Sequence, residues 1–140
     1  MSRDQRLMLW PEVVEHIEAR PLTGYGFGRG LLRKALNEDF NNGLLWHAHN
    51  LLLDMALQLG IPGAVLFVIL LGWTLREGWR LAREPDELAA ACGIALMALV
   101  VGMLVRNSTD TLLVRQNALL YWGVVGVLLA WGGQRVRAGA

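Results

Sequence analysis

The chain has 140 residues, 54% of them hydrophobic and only 18% charged, which is more apolar than a soluble domain of this size has interior to hide. Its formal net charge is +1, with Lys34 the single lysine against twelve arginines, so no basic field argues for nucleic acid and no DNA or RNA partner is expected. The one cysteine, Cys92, lies in an apolar run, which leaves no disulfide framework and no thiolate metal site.

Residues 1 to about 48 are mixed and polar, hold six of the thirteen basic residues, and contain no apolar run long enough to cross a bilayer. Trp10, Val13, Val14 and Ile17 recur near helical spacing, with Glu12, Glu15 and Glu18 opposite. This predicts a short amphipathic helix that takes Pro11 in its first turn and stops at Pro21. His16 reads as a solvated position on it. From Thr23 to Gly30, glycines at 24, 26, 28 and 30 alternate with Tyr25, Phe27 and Arg29, a pattern that predicts a loop able to approach a ligand closely. It lacks the strand-then-helix context of a dinucleotide loop, and that reading is rejected. Tyr25 and Phe27 suit either stacking on sugar rings or anchoring the loop at a membrane surface.

Next comes His47-Ala-His49-Asn50, at the mouth of a nearly all-apolar segment. Asn50, Asp54 and Gln58 stand at i, i+4 and i+8 and form one polar stripe on a helix otherwise built of leucine, methionine and alanine. An interfacial helix over about 49–60 is expected. Gly60 is a helix stop and Pro62 a first-turn residue, so Gly60-Ile-Pro-Gly63 predicts an elbow into the next helix. A histidine at such a helix start can take a proton near neutral pH or bind a phosphate or sugar hydroxyl. On spacing alone a structural or exposed His49 is the plainer reading, and Asp54 reads either as an orienter of His49 or as a structural cap.

Three apolar stretches follow, about 61–81, 88–105 and 117–133, each near the ~20 residues that a hydrocarbon core of ~30 Å demands. The expected fold is an all-α integral membrane protein, with residues 1–60 as part of an extramembrane loop and 61–140 as a three-helix transmembrane region. Arg76 and Arg80 would snorkel at the far end of the first span. Trp73, Trp79, Trp122 and Trp131 lie toward span ends, as an interfacial belt would place them. Arg76, Arg80, Arg83, Arg135 and Arg137 favour a cytoplasmic short loop and tail, and the six basic residues before position 48 lie too far from Ile61 to vote. The N-terminal segment is therefore placed outside, yet no upstream signal could export it. The expectation is a chain truncated at its N-terminus and inactive alone.

His49-Asn50, nine residues, Gly60, two residues and Gly63 resemble the signature of the O-antigen ligase and O-antigen polymerase superfamily. Upstream, Arg6-Leu-Met-Leu-Trp10 and Pro21-Leu-Thr-Gly-Tyr-Gly-Phe-Gly28 are similar to that family's Arg-x-x-x-Trp and Pro-Leu-x-Gly-x-Gly patterns, and the resemblance continues in Val105-Arg-Asn-Ser-Thr-Asp110. It covers the C-terminal portion of the family only: the end of a large periplasmic loop and the last three helices.

The resemblance implies a multi-pass protein of the bacterial inner membrane with its site facing the periplasm. There a glycan would leave undecaprenyl diphosphate for a sugar hydroxyl of lipid A-core, in lipopolysaccharide assembly. The catalytic candidate is His49, as acceptor of the hydroxyl proton. Diphosphate candidates are Arg6, in the Arg-x-x-x-Trp context, and Arg106 and Arg115, which flank the last external loop and suit snorkelling equally. His47, Asn50, Gly60 and Gly63 would support the site, and Asp110 is a further loop candidate. No cofactor is implied, and no carboxylate pair has metal-ligand spacing. The alternatives are a repeat-unit polymerase and a non-catalytic membrane protein, either transporter-like or a remnant.

Overall fold

The computed structural model of the chain describes residues 5–26, 48, 50–108 and 115–139, with side chains for all of these but 5–8, 115 and 139. Four helices hold most of them: α1 (Gln5–Ala19), α2 (Leu51–Leu81), α3 (Glu87–Asn107) and α4 (Arg115–Gly139). They fall into two compact units, the first built on α1 and on α2 up to Phe67, the second on α2 from Val68, α3 up to Arg106, and α4.

In the first unit α1 starts at Gln5, so Pro11 lies inside the helix rather than in its first turn. An interior proline loses its own bond to the carbonyl four residues earlier and crowds that carbonyl with its ring, at a cost of about 3 kcal/mol, and the packing of α1 offsets that loss. Leu9, Val13 and Ile17, four residues apart, are buried together with Ala48 and Leu57, and Tyr25, Leu53 and Ala56 pack against them. Full burial of a leucine or valine is worth roughly 1.5–3 kcal/mol each. The expected polar stripe of the next helix faces partly inward, since Asp54 is only 2% exposed.

In the second unit small residues let helices approach backbone to backbone. A Cβ on Gly93 of α3 would stand 2.8 Å from the carbonyl carbon of Leu81 in α2 and would also strike Ala82 N and Gly78 O. One on Gly132 of α4 would meet Leu81 Cδ1 at 2.9 Å and Cys92 Cβ at 3.2 Å. Around these contacts Leu81, Leu96 and Val125 form a buried cluster with Tyr121, Leu128 and Val136. Asp86 caps α3 through the Ala89 N–H at 2.9 Å and holds the Arg135 guanidinium of α4 at 2.8 Å. That hydrogen bond, with the one from the Ala89 N–H, keeps the Asp86 carboxyl below the usual carboxylate range. Arg80 pairs with Glu77 and Glu84, and the Arg83 guanidinium lies 4.3 Å above the Trp79 ring.

Helices α2 and α3 are long and apolar enough to cross a membrane, and only 17% and 33% of their most apolar stretches are buried. A core helix of a soluble protein would show the reverse. The third expected span, 117–133, lies within helix α4. Tyr121, Trp122, Trp131 and the glycines at 123, 126, 132 and 133 dilute its apolar character, and among the described residues only α2 and α3 meet the requirement.

Candidate functional site at the helix elbow

The first helical part of α2 ends at Gly60, whose torsions are φ 72° and ψ 177°. A helix end leaves its last carbonyls without intrahelical donors. Here the turn after α1 supplies them: the Tyr25 N–H donates to Leu57 O and the Gly26 N–H to Gln58 O, both at 2.9 Å, while the Ile61 N–H donates back to Pro21 O at 2.7 Å. The two segments come so close that side chains are excluded at both contact points. A Cβ on Gly24 (φ 58°) would lie 2.6 Å from the Gln58 carbonyl and from Gly60 N, and one on Gly60 would lie 2.6 Å from the Leu22 carbonyl. Gly63 has a separate reason, because the bend carries Leu59 over the next turn, where a Cβ on residue 63 would strike the Leu59 Cβ. The Pro-Leu-x-Gly-x-Gly run and the Gly-x-x-Gly elbow are thus two halves of one backbone lock.

A second fixture holds the residues just before α2. Ala48 is completely buried. Its N–H donates to Asp54 Oδ1 at 2.8 Å, and its carbonyl accepts the indole Nε1–H of Trp10 at 3.0 Å. Asn50 is the N-cap of α2, its Oδ1 accepting from the N–H groups of Leu52 at 3.0 Å and Leu53 at 3.2 Å. This is the role an asparagine at a helix start is suited to. Asp54 thereby has a structural partner in the Ala48 N–H ahead of the helix, while the cap of the helix itself is Asn50.

Tyr25 packs into the unit: Arg20 lies 4.8 Å from its ring centroid and the His16 ring 6.0 Å away. His16 is half-buried, with Nδ1 at 2.9 Å from Glu12 O, and so is more than the solvated position the sequence suggested. An open groove of about 710 Å³ runs along α1, lined by Trp10, Pro11, Val14, Glu15, Glu18 and Leu53.

The lock and the fixture gather Trp10, Ala48, Asn50, Asp54, Gly60 and Gly63 in one unit. His47, His49, Phe27 and Asp110 lie outside the described residues, and Arg6 and Arg115 are described as helical backbone in α1 and α4 without side chains. Arg106, exposed near the end of α3, and Arg115 belong to the second unit. No group of acidic, histidine or cysteine side chains fit for a metal occurs among the described residues. Sequence reasoning missed Ala48, whose peptide groups carry the fixture. An alanine between two histidines gives no sign of that, because its hydrogen bonds are all backbone.

The O-antigen ligase family matches residues 1–68, the stretch that carries the lock and the fixture. Three curated relatives each bear the name "Putative polysaccharide ligase". The one from Rickettsia felis is 30% identical over 113 residues, 76% of this chain and 28% of its own length. The one from Rickettsia conorii is 35% identical over 114 residues, 76% and 27%. The one from Rickettsia typhi is 35% identical over 83 residues, 54% and 20%. The chain therefore spans little more than a quarter of the length of the first two. Two apolar helices of membrane-crossing length in such company point to a membrane protein. The match, supported by these relatives, places residues 1–68 in the O-antigen ligase family.

Proposed function

We propose that the protein works in an inverting glycosyl transfer at the outer face of the bacterial inner membrane, moving a glycan from undecaprenyl diphosphate to a lipid A-core sugar hydroxyl. The observation that carries this reading is the coincidence of the family match, residues 1–68, with the unit in which a buried core holds Ala48 and a backbone lock holds the elbow at Gly60.

In the proposed reaction the acceptor oxygen attacks the anomeric carbon as the bond from that carbon to the diphosphate oxygen breaks. The hydroxyl proton passes to a ring nitrogen of neutral His49, and the electron pair leaves with the lipid diphosphate. Arg6, Arg106 and Arg115 are the proposed counter-charges for that leaving group, since arginine offers forked donors and stays protonated. His47 would shape the site beside His49. The membrane region would consist of α2 beyond the elbow, α3 and α4, with residues 1–60 on the periplasmic side.

The test is transfer in membranes in which the protein, or a longer protein that contains this chain, supports the reaction, supplied with undecaprenyl-diphosphate-linked glycan and lipid A-core. His49→Ala should lower the rate by roughly 10²–10⁴-fold, the usual contribution of a positioned general base. Unchanged transfer would remove His49 from the mechanism. Longer lipid-linked glycan with none on lipid A-core would instead identify a repeat-unit polymerase.

A further inference from the structure

We propose that Trp10 and Asp54 are positioning residues that set the placement of His49 for the transfer. The inference rests on the reading of His49 as proton acceptor and starts from the geometry of its covalent neighbours. A peptide group is planar, so the carbonyl of Ala48 and the N–H and Cα of residue 49 share one plane. The oxygen of that plane is held by the Trp10 indole N–H at 3.0 Å, from 38 residues earlier in the chain. The preceding peptide is held through the Ala48 N–H by Asp54 Oδ1 at 2.8 Å. On the other side of residue 49, Asn50 is fixed as the N-cap of α2.

The cost of these contacts argues that they have a purpose. Asp54 is a carboxylate only 2% exposed, and burying such a group is unfavourable unless its partners are well made. The two anchors also come from different helices, α1 and α2, joined through the cluster of Leu9, Val13, Ile17 and Leu57. The N–H and the carbonyl of Ala48 are thus tied to a packed core from two helices. Placement matters in this chemistry, because an error of about 1 Å at a reacting group can cost on the order of a hundredfold in rate.

The test uses membranes carrying the protein, with transfer measured per mole of protein present. Trp10→Phe keeps an aromatic ring and deletes the N–H. Asp54→Ala deletes the acceptor, and Asp54→Asn keeps a side-chain oxygen for the Ala48 N–H while removing the charge. The expected result is a fall in kcat of about tenfold or more for Trp10→Phe and Asp54→Ala, with KM for the lipid-linked glycan within about twofold, and recovery to within about threefold in Asp54→Asn. Wild-type kcat in Trp10→Phe overturns the proposal, and so does an Asp54→Asn protein as slow as Asp54→Ala.

If His49→Ala proves fully active, the reading of His49 fails by itself, and the clamp that Trp10 and Asp54 form on Ala48 is judged by a second measurement. In the uniformly ¹⁵N-labelled 140-residue chain in micelles, the His49 amide signal should shift and broaden in Trp10→Phe and Asp54→Ala but not in Asp54→Asn, while the Tyr25 and Gly26 amides stay protected. A His49 signal that none of the three variants moves overturns the clamp.

Discussion

Replacing Gly60 by alanine puts the elbow lock to its hardest test. At φ 72° and ψ 177° the backbone sits in a region that only glycine enters freely, and another residue there costs on the order of 1–3 kcal/mol. The new Cβ would stand 2.6 Å from the carbonyl carbon and oxygen of Leu22 and 2.7 Å from Pro21 O. A collision with backbone cannot be relieved by turning a side chain, so the 21–26 turn has to withdraw. With it go the bonds from Ile61 to Pro21, Tyr25 to Leu57 and Gly26 to Gln58, each worth about 1 kcal/mol net. Together these losses come to about 4–6 kcal/mol, a large part of the ~5–15 kcal/mol that holds an ordinary domain folded. Hydrogen exchange of the chain in micelles should show the Tyr25, Gly26 and Ile61 amides opening about a hundredfold faster or more. Gly72→Ala is the control, because a Cβ there meets nothing within 4 Å and alanine is the better helix former by about 0.5–1 kcal/mol. Undiminished protection of the three amides in Gly60→Ala would refute the lock.

Gly93→Leu should pry α3 from α2, because the obstacles to its side chain are the backbone of Leu81 and Ala82 and the carbonyl of Gly78; a loss above the ~1–3 kcal/mol of ordinary overpacking is expected in thermal unfolding of the chain in micelles. Arg135→Gln should raise the Asp86 pKa toward its ordinary value, as read by carboxyl titration in NMR, since the Arg135 hydrogen bond is the largest cause of its lowering. With the folded-state pKa lowered, the contribution of this pair is present at neutral pH and is lost as acid takes the pH down through the folded value. A reporter fused after Ala140 should lie on the cytoplasmic side and one inserted at Asp110 on the periplasmic side; both on the same side would show that α4 does not cross.

The parts of the fold that were legible in the sequence are those fixed by local composition. Helix α3 was readable as an uninterrupted, charge-free run from Leu88 to Val105, and the structure gives Glu87–Asn107. The stop at Gly60 was readable because glycine and a following proline punctuate helices in a way that depends only on near neighbours. The start of α1 was misplaced because a proline is at home in a first turn yet tolerable further in when the helix is held by packing, and the packing partners of Leu9 and Val13 lie some 40 residues away in Ala48 and Leu57. The lock and the clamp were not readable for the same reason. Both are made of backbone groups or of groups that bond to backbone, between segments that only the fold brings together.

That distinction separates the residues of the signature by what demands them. Gly24 and Gly60 are required by close approach and by torsion, Gly63 by close approach, Asn50 by the cap, and Trp10 by the donor it alone among the large apolar side chains of α1 can supply to Ala48 O. None of these requirements involves a ligand, so a protein of any function that needed this elbow would keep them. Geometry of this kind creates a scaffold with a fixed helix mouth, and it leaves the ionisable residues attached to that mouth to be chosen on chemical grounds. A histidine there can exchange a proton near neutral pH, and an arginine holds its charge against a phosphate. The two kinds of demand make separable predictions: loss of a glycine should lower stability and transfer together, whereas loss of His49 should lower transfer in a protein whose elbow amides exchange as slowly as before.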